Sequence, residues 1–351
     1  MKYYAVIMAG GSGAKFWPIT TETQSKQFLK VFNSETLIEE TIGRLEGLIP
    51  NDQIIIVTTE NQYKAILRVA STIPKENILV EPFAKNTAAA IGYASVVIKT
   101  RCEDAVIFNL PADHYVDSID KFQESLKCAA AAAENHNGLI TIGIHPDYPE
   151  DSFGYLQFDD EIEDGVFKVL KFAEKPNLST AERFVKAGDF LWNSGIFVWK
   201  LSVILNQLEE NLPELFTGLT KIEGALNDPK FEYFLLSSYG QFRNLSIDYG
   251  LMEKSDIVYT VKGNFKWSDI GSWETVFNLL EKDGNGNSLH GKVYTDDVQN
   301  SYIRSNEKVA AVIGVDNLIV INHKRGLLIC SMEKAEEVKE IVDFLKIHKF
   351  N

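Results

Sequence analysis

Two short motifs place glycines and an aspartate directly after strand-like runs, a position from which proteins often bind phosphate groups. The first, GGSGAKFWP, begins at Gly10. Its glycines would let the backbone approach a ligand and point successive N–H groups at phosphate oxygens. It lacks the Gly-Lys-Ser/Thr end of a Walker A loop, and Phe16 stands where a dinucleotide fingerprint needs its third glycine. Taken alone, the segment fits a tight turn as well as a phosphate loop.

The second motif, LPADH, ends with Asp113 and His114 after the fourth predicted strand. An isolated aspartate at a strand end is usually a cap or turn residue. In a doubly wound sheet of order 3-2-1-4, however, strands one and four are neighbours at the switch point where ligands bind. The glycine segment and Asp113 would then flank one crevice, with a hard oxygen ligand beside a phosphate cradle. That arrangement suits a magnesium–nucleotide complex.

Two later segments carry polar residues of the kind that bind sugars and phosphates. FAEKP supplies Glu174 and Lys175, and WNSG supplies Asn193: an acceptor, a cation and an amide. WSDIGSW places Asp269 between two tryptophans, which could simply pack in a core whatever the aspartate does. Without the first two motifs, these residues would be interpreted as ordinary surface polar groups.

The elements that must position these residues follow an alternating pattern over the first 145 residues. Short apolar runs predict strands at residues 3–9, 53–58, 78–80, 105–110 and 139–144. Helical spacing predicts helices at residues 36–48, 61–70, 86–100 and 119–134. Buried strands that alternate with helices indicate a doubly wound α/β sheet.

The rest of the chain has a mixed pattern, followed by closely spaced short strands. Strands are predicted at residues 166–173, 194–199 and 256–261, and helices at 180–187, 201–210 and 273–281. The segment DGNGNS at residues 283–288 predicts a linker, which divides the chain into a catalytic domain (1–282) and a C-terminal β domain (289–351). In the latter, strands are predicted at 291–294, 301–304, 309–314, 317–321 and 327–331, and a helix at 334–345. They could form a β-solenoid or a small β-sandwich, and no clean repeat decides between them.

Composition narrows the functional class. The formal net charge of −14 argues against binding to nucleic acid or to an anionic membrane. No run approaches the ~18 apolar residues of a membrane helix, and the N-terminus lacks the pattern of a secretory signal. The three scattered cysteines fit neither a disulfide framework nor a zinc site, which favours a reducing cytoplasm. A polyphosphate substrate would have to be attracted by local lysines, N–H groups and metal ions.

Taken together, nine segments resemble the bacterial mannose-1-phosphate guanylyltransferases of the sugar-nucleotidyltransferase superfamily. They occur in that family's order and are MAGGSGAKFWP, SKQFLK, VEPFAKNTAAAI, LPADH, FGYLQ, FAEKP, NSGIF, SIDYGLMEK and WSDIGSW. Each segment is weak alone, but their ordered coincidence is highly specific. The resemblance implies a Rossmann-like, doubly wound mixed sheet with a small C-terminal β domain, a short left-handed β-helix.

The resemblance also implies roles for individual residues. Metal ligands would be Asp113 and Asp269, and phosphate contacts would come from Lys15, Lys26 and Lys175. The hexose would be bound by Gly154, Glu174 and Asn193. The nucleotide would lie along Ala9, Gly10, Gly11, Gly13, Glu81, Pro82, Asn86, Thr87 and Ala112. The cofactor would be Mg²⁺, the substrates GTP and mannose 1-phosphate, and self-association into a homodimer is an expectation.

Four positions depart from the family pattern. The family usually has arginine where Lys15 and Lys85 stand, threonine or glutamate at Ala14, and proline at Ala89. Lysine keeps the positive charge but loses the planar fork that binds two phosphate oxygens at once. These four differences would alter turnover or nucleotide selectivity without abolishing activity.

The implied reaction is an in-line attack by a sugar-phosphate oxygen on the α-phosphorus of GTP, with pyrophosphate leaving. Because the nucleophile is already an anion, no histidine or cysteine is needed as a base or nucleophile, and His114 is expected to be structural. Two alternatives stay open. One is a nucleotidyltransferase for another hexose 1-phosphate or nucleoside triphosphate; the other is a catalytically silent nucleotide-sugar sensor, supported only by Ala14 and Lys15.

Overall fold

The computed structural model describes residues 1–11, 13–21 and 23–348. These residues form two compact units. The first comprises residues 1–10, 41–112 and 116–267, and the second comprises residues 11–40, 113–115 and the chain from 268 onward. Ser12 of the glycine segment and the last three residues of the predicted C-terminal domain lie outside the described residues. No described helix is long and apolar enough to cross a membrane.

The first unit is built on a nine-stranded mixed sheet. Up to residue 268 the strands are β1 (Lys2–Ala9), β2 (Ile54–Thr59), β3 (Ile78–Glu81), β4 (Ala105–Pro111), β5 (Tyr115–Val116), β6 (Leu139–Ile144), β7 (Gly154–Glu163), β8 (Val166–Ala173), β9 (Phe190–Lys200), β10 (Val258–Gly263) and β11 (Trp267–Ser268). The order in the nine-stranded sheet is β3-β2-β1-β4-β9-β6-β10-β8-β7, and β5 pairs separately with β11. Strands β1 to β4 are mutually parallel, whereas β9 runs antiparallel to both β4 and β6. The predicted order 3-2-1-4 and the doubly wound α/β class are confirmed.

Eight helices precede residue 268 in the described part of the chain. They are α1 (Leu37–Gly43), α2 (Glu60–Val69), α3 (Asn86–Lys99), α4 (Ile119–His136), α5 (Leu178–Ala187), α6 (Leu201–Asn211), α7 (Pro213–Ala225) and α8 (Phe231–Gln241). The helices α3, α6, α7 and α8 share the first unit's core with the strands. The alanine-rich α3 is buried from Ala88 to Ile98. A Cβ on Gly92 would overlap Leu219 of α7, so small residues let these two helices approach closely. This rigid packing fixes the N-terminus of α3, where Asn86 and Thr87 lie.

Several predicted boundaries within the first 280 residues were wrong. The helix predicted at 36–48 ends at Gly43, and turns continue to Gly47, whose φ of +78° is incompatible with a continuing helix. Strand β7 and helices α7 and α8 were not predicted at all. The outer half of β7 is acidic and exposed, so it lacks the alternation that marks a half-buried strand.

The second unit contains a small parallel β-structure. Its strands are β12 (Ser288–Gln299), β13 (Tyr302–Asp316), β14 (Leu318–His323) and β15 (Gly326–Ser331). The first three pair in parallel through very short connections, and β15 returns antiparallel to β14. Val293 pairs with Ala310 and Tyr302 with Ile319, each pair seventeen residues apart. Successive strands that pair in parallel through very short connections are coils of a solenoid, which excludes the β-sandwich.

Two of the short strands predicted in this region were wrong as separate elements, and a third was predicted too short. The segments predicted at 301–304 and 309–314 belong to one strand, β13, and the one at 291–294 is part of β12. Both strands turn a corner while remaining paired, with a register shift between Gly291 and Val293. The predicted linker is an ordered turn, because the amide of Asn287 donates to the Val298 carbonyl and its oxygen accepts from Ser301 N–H.

Two helices complete the second unit. They are α9 (Trp273–Leu279) and α10 (Val338–Ile347), the latter preceded by a 3-10 segment, Met332–Glu337. The helix predicted at 334–345 thus begins four residues later. A second apolar core packs α9 and α10 against the solenoid and the segment after the glycines, with Phe16, Trp273, Tyr302 and Ile319 fully buried. This core holds the loops that carry Lys26 and Asp269.

Candidate functional site

In the second unit, the glycine segment packs directly on the loop that carries Lys26. Gly13 has φ +63°, and a Cβ there would overlap the backbone N of Lys26. Its carbonyl accepts from Phe16 N–H at 3.1 Å and from the Thr20 hydroxyl at 2.7 Å. Only glycine satisfies both the left-handed backbone and this close approach. The turn thus fixes the position of Lys26 relative to the loop.

Lys26 joins two motifs that are far apart in the sequence. Its ammonium lies 2.9 Å from Oδ2 of Asp113 and also donates to the backbone carbonyl of Asp269. The lysine side chain is 14% exposed and that of Asp113 is 26% exposed, so the ion pair is sheltered but can be reached. Burial by itself would raise the pKa of Asp113, but the charges of Lys26 and His114 and the Lys26 hydrogen bond lower it below its usual value. Asp113 is therefore a carboxylate at neutral pH.

The turn around Asp269 is strained and firmly held. Ile270 adopts φ +51°, an unusual conformation for a β-branched residue, and its N–H donates to the Ser268 hydroxyl at 3.0 Å. Ser272 caps α9 by accepting from Thr275 N–H. At the start of that helix, Trp273 donates its indole N–H to the Trp17 carbonyl at 3.1 Å. Strained backbone of this kind persists where surrounding packing over-determines it, and it is common at functional sites.

Lys15 is not in contact with Asp113 or Lys26 in any described hydrogen bond or ion pair. Its ammonium lies 3.0 Å from Oε2 of Glu336, in the 3-10 segment before α10. Both side chains are substantially exposed, so this ion pair is weak and easily exchanged. A phosphate group that bound Lys15 would therefore have to displace Glu336.

A second polar cluster lies in the first unit, where β7, β8 and β9 end or meet. Glu174 is almost fully buried and pairs with the exposed ammonium of its neighbour, Lys175. Gly154 lies so close to this carboxylate that a Cβ would overlap Oε2 of Glu174 and come within 3.3 Å of Asn193. Asn193 accepts from the Thr141 hydroxyl at 3.1 Å. The structure therefore brings together Gly154, Glu174, Lys175 and Asn193.

Asp248 completes this cluster, and sequence analysis assigned it no role. Oδ1 of Asp248 accepts from the Asn193 amide at 2.9 Å. Burial, and next the negative charge of Glu174, raise the pKa of Asp248 to about 6. The opposite balance occurs at Lys175: burial lowers the pKa of this ammonium, but Glu174 and Asp248 more than compensate and raise it. Asp248 begins a π-helical turn, Asp248–Met252, and such turns are frequent at functional sites. The spacing of apolar residues in the sequence does not reveal a π-helical turn, so Asp248 was missed.

Asp248→Asn is expected to stabilise the protein at pH 8 but not at pH 4. A carboxyl whose pKa is raised on folding stabilises the fold at pH values below its unfolded pKa, and this stability is lost as pH rises through about 6. The amide keeps the acceptor for Asn193 and removes the ionisation. The gain in free energy of unfolding at pH 8 should be on the order of 1–3 kcal/mol.

Thermal unfolding of both proteins between pH 4 and pH 8 measures this effect. Asp160→Asn, at an exposed position of β7, is the matched control and should show no pH-dependent difference from the original protein. A gain for Asp248→Asn of equal size at every pH would show that ionisation of Asp248 does not oppose folding.

The predicted nucleotide residues of the first unit gather at the carboxyl edge of β1 to β4. Ala9 and Ala112 end or follow the neighbouring strands β1 and β4, and the Ala112 N–H donates to the Met8 carbonyl at 3.1 Å. Glu81 ends β3, and a Cβ on Gly10 would lie 3.7 Å from its Oε2. Because β1 to β4 are parallel, their carboxyl ends lie at one edge of the sheet, which is where doubly wound sheets bind ligands.

Glu81 is a buried carboxyl with spare hydrogen-bonding capacity. It is 5% exposed, and Oε1 has no hydrogen-bond partner among the described residues. Burial raises its pKa to about 8, although a hydrogen bond from Tyr239 lowers it in part. An unsatisfied buried oxygen of this kind destabilises the fold unless a ligand supplies a donor.

The residues after Glu81 are tied to a distant loop of the same unit. Pro82 follows directly on β3. Asn86 has φ +68° and accepts from Thr87 N–H, whereas the Thr87 hydroxyl accepts from Ile247 N–H at 2.8 Å. Lys85, where the family pattern has arginine, donates to the Phe242 carbonyl at 2.7 Å. These bonds fix the start of α3, and the N-terminus of a helix favours anions.

The residues around Lys26 fit a divalent cation of the magnesium type. Asp113 supplies an ionised carboxylate, and the backbone carbonyl of Asp269 lies at the same ammonium. Within residues 1–11, 13–21 and 23–348 there is no cluster of three or more His, Cys, Asp or Glu side chains that could hold a metal. Mg²⁺ typically takes one or two carboxylates and completes its shell with water and substrate phosphates, so two aspartates suffice.

Comparisons with known proteins identify the family of the chain. A family model described as nucleotidyl transferase matches residues 4–286, and one described as MannoseP isomerase/GMP-like beta-helix domain matches residues 291–345. The chain is 33% identical over 347 residues to mannose-1-phosphate guanylyltransferases from Escherichia coli and Klebsiella pneumoniae, which covers 97% of this chain and 73% of each relative. A solved structure from Thermus thermophilus, described as mannose-1-phosphate geranyltransferase, matches with TM-score 0.89 and 30% identity, covering 99% of this chain and 100% of that one.

Proposed function

The chain belongs to the nucleotidyl transferase family, and we propose that it transfers GMP from GTP to α-D-mannose 1-phosphate, giving GDP-mannose and pyrophosphate. The observation that carries the proposal is Lys26, which contacts Asp113 and Asp269 at once. Three segments separated by up to 243 residues thus converge on one cationic and acidic centre. That centre has the chemistry to bind a metal–triphosphate.

In the proposed reaction, a phosphate oxygen of mannose 1-phosphate attacks the α-phosphorus of GTP. A new P–O bond forms as the bond between the α-phosphorus and its bridging oxygen breaks, and that oxygen leaves with pyrophosphate. The nucleophile is already ionised near neutral pH, so no proton has to be removed from it. Catalysis then consists of positioning and charge neutralisation.

Residues of the second unit would neutralise the phosphates. When bound by Asp113 and Asp269, Mg²⁺ would neutralise negative charge on the triphosphate. The Lys26 ammonium would donate to a phosphate oxygen in place of one of its contacts with Asp113. This change needs only a movement of the lysine side chain, while the loop backbone stays in place. Gly11 and Gly13 would allow close backbone approach, and Lys15 would place a point charge on the departing phosphates.

Residues of the first unit would select the substrates. Glu174 and Asn193 provide an acceptor and an amide for hexose hydroxyls, Lys175 provides a cation for the sugar phosphate, and Gly154 leaves room beside them. Glu81 provides a buried acceptor that has no partner on Oε1 among the described residues. The Watson–Crick edge of guanine presents two adjacent N–H donors, which an ionised Glu81 would accept. Because burial raises the pKa of Glu81 to about 8, binding of GTP in this way would have to lower that pKa.

Product analysis tests the proposal. Incubation with GTP, mannose 1-phosphate and Mg²⁺ should yield GDP-mannose and pyrophosphate in equal amounts, as measured by mass spectrometry and phosphorus NMR. The reverse reaction should consume both products. Formation of GDP and inorganic phosphate without GDP-mannose would contradict the proposal, because it would show hydrolysis rather than transfer.

Glu336→Gln is expected to lower the KM for GTP modestly. Glu336 holds the Lys15 ammonium in an exposed ion pair, so a triphosphate must compete for that cation. Removal of one exposed partner should change the KM by a factor of about two to five at low salt, and less at high salt. Steady-state kinetics at two ionic strengths provides the measurement.

Glu333→Gln is the matched control, because Glu333 lies exposed in the same 3-10 segment but does not pair with Lys15. If Glu336→Gln and Glu333→Gln both leave the KM unchanged at low salt, Lys15 does not exchange Glu336 for GTP.

A further inference from the structure

Two parts of the second unit that are far apart in the sequence lie against each other. One comprises residues 16–21 and 23–31, here called the Lys26 segment, and the other is the β14–β15 turn, residues 323–326. A Cβ on Gly326 would lie 2.7 Å from the ring atom Cζ2 of Trp17, so a larger residue there would displace the ring. The turn therefore packs closely on the N-terminal part of the Lys26 segment.

Arg325, at the tip of this turn, bonds two points of the Lys26 segment at once. Its guanidinium donates to the Ile19 carbonyl and to the side-chain oxygen of Gln24, both at 2.7 Å. A planar guanidinium presents its donors in a fixed fork, so it holds two acceptors at a defined separation. The backbone carbonyl of Gln24 also accepts from Thr21 N–H at 2.8 Å. Ile19 and Gln24 are thereby fixed relative to each other.

Arg304, on β13, bonds the Lys26 segment on the other side of Lys26. Its Nη2 donates to the Lys30 carbonyl at 2.8 Å. The apolar core reinforces this contact, because Leu29 is buried in the same cluster as Leu328 of β15. Two arginines of the solenoid thus hold the backbone before and after Lys26.

The held backbone determines where the Lys26 ammonium lies. The Thr20 hydroxyl donates to the Gly13 carbonyl, and a Cβ on Gly13 would overlap the Lys26 backbone N. Contacts therefore continue from the arginine-bound backbone to Lys26 itself. From this position the ammonium contacts Asp113 and the Asp269 carbonyl. A displacement of about 1 Å in a group that orients a reactant can reduce the rate about a hundredfold.

We propose that the solenoid positions Lys26 for catalysis, with Arg325 as the principal positioning residue and Arg304 as a second one. This inference rests on the proposed function and gives the C-terminal β domain a part in the reacting centre. The linker predicted at residues 283–288 would then not separate a complete catalytic domain from the rest, because both arginines lie beyond it.

Kinetics of the full chain with GTP and mannose 1-phosphate provide the first test. Arg325→Ala should lower kcat about tenfold and change the KM for GTP less than about threefold, because lost alignment affects the transition state more than binding. Lys324→Ala, which removes an exposed cation from the same turn, is the matched control and should leave both constants unchanged. Equal kinetics for the two variants would overturn the proposal. An effect of Arg325→Ala confined to the KM for GTP would also overturn it, since it would indicate a direct contact with the nucleotide.

The Gln24 contact tests whether Arg325 acts through the Lys26 segment. Gln24→Ala removes one of the two acceptors and should lower kcat by a smaller factor than Arg325→Ala does. The double variant should be no slower than Arg325→Ala alone, because both substitutions remove the same contact. If the two effects multiplied in the double variant, Arg325 would not act through Gln24 and the proposal would be wrong.

Hydrogen–deuterium exchange measures the positioning without reference to activity. The Ile19 and Thr20 amides donate to the Phe16 carbonyl at 3.0 and 3.2 Å. In Arg325→Ala these amides should exchange at least about threefold faster, whereas those of α2 should not change. Unchanged exchange at both amides would overturn the proposal. Faster exchange in a protein that makes no GDP-mannose, with or without the substitution, would contradict the proposed function but support the positioning of the Lys26 segment.

Discussion

Asp113→Asn is expected to reduce kcat at least about a hundredfold while leaving the protein folded. The amide has the same shape as the carboxylate, but it loses the charge that pairs with Lys26 at 2.9 Å and that would bind Mg²⁺. Removal of one well-aimed electrostatic group from a reacting centre typically reduces kcat by about 10²–10³. The pKa of Asp113 is held below its usual value, so the charge is present throughout the working range of pH.

Steady-state rates at saturating GTP and mannose 1-phosphate, over a range of Mg²⁺ concentrations, measure this loss. Asp120→Asn is the matched control: Asp120 lies exposed in the first turn of α4, seven residues away, and its substitution should leave kcat unchanged. An Asp113→Asn protein with the original kcat at saturating Mg²⁺ would remove Asp113 from the proposed metal site.

Gly154→Ala is expected to reduce kcat/KM for the sugar phosphate about tenfold to a hundredfold. The added Cβ would overlap Oε2 of Glu174 and press on Asn193, so the carboxylate would have to leave its position beside Lys175. Forced repacking of this kind costs about 1–3 kcal/mol, and each 1.4 kcal/mol is a factor of about ten. Affinity for GTP should stay nearly constant, because the residues proposed to bind the nucleotide are untouched.

The comparison requires separate titrations of GTP and mannose 1-phosphate. Gly224→Ala, in α7, is the control, because no atom lies within 4 Å of its Cβ position and alanine favours a helix. Should Gly154→Ala keep the original kcat/KM for mannose 1-phosphate, the cluster around Glu174 would not bind the hexose.

The sequence predicted the fold best where the residues of a single element are enough to indicate its type and its ends. The strands at Leu139–Ile144 and Val166–Ala173 were predicted with their observed bounds, because both are bounded by turn residues and contain clear apolar runs. The solenoid was ambiguous for a physical reason. Ser288 pairs with Tyr302, fourteen residues on, but Val293 pairs with Ala310, seventeen residues on. A corner insertion thus hides the repeat from any search at a fixed period.

The candidate site, too, was only partly predictable from the sequence. Residue types such as Asp113, Lys26 and Glu174 stand in recognisable motifs, and the structure gathers them as two clusters. Their partners could not be foreseen, because they depend on contacts between distant segments: Glu336 lies 321 residues from Lys15, and Asp248 lies 55 from Asn193. Burial, which raises the pKa of Glu81 and Asp248, is likewise a property of the folded chain.

The most direct test of the central claim is the rate of pyrophosphate release with each nucleoside triphosphate and a panel of hexose 1-phosphates. The proposed activity requires GTP with mannose 1-phosphate to give the highest kcat/KM, and release must depend on the sugar phosphate. A higher value for another nucleotide or hexose would contradict the substrate assignment. Absence of release from every pair, in a protein that still binds GTP, would contradict the enzymatic function and favour a silent nucleotide-sugar sensor.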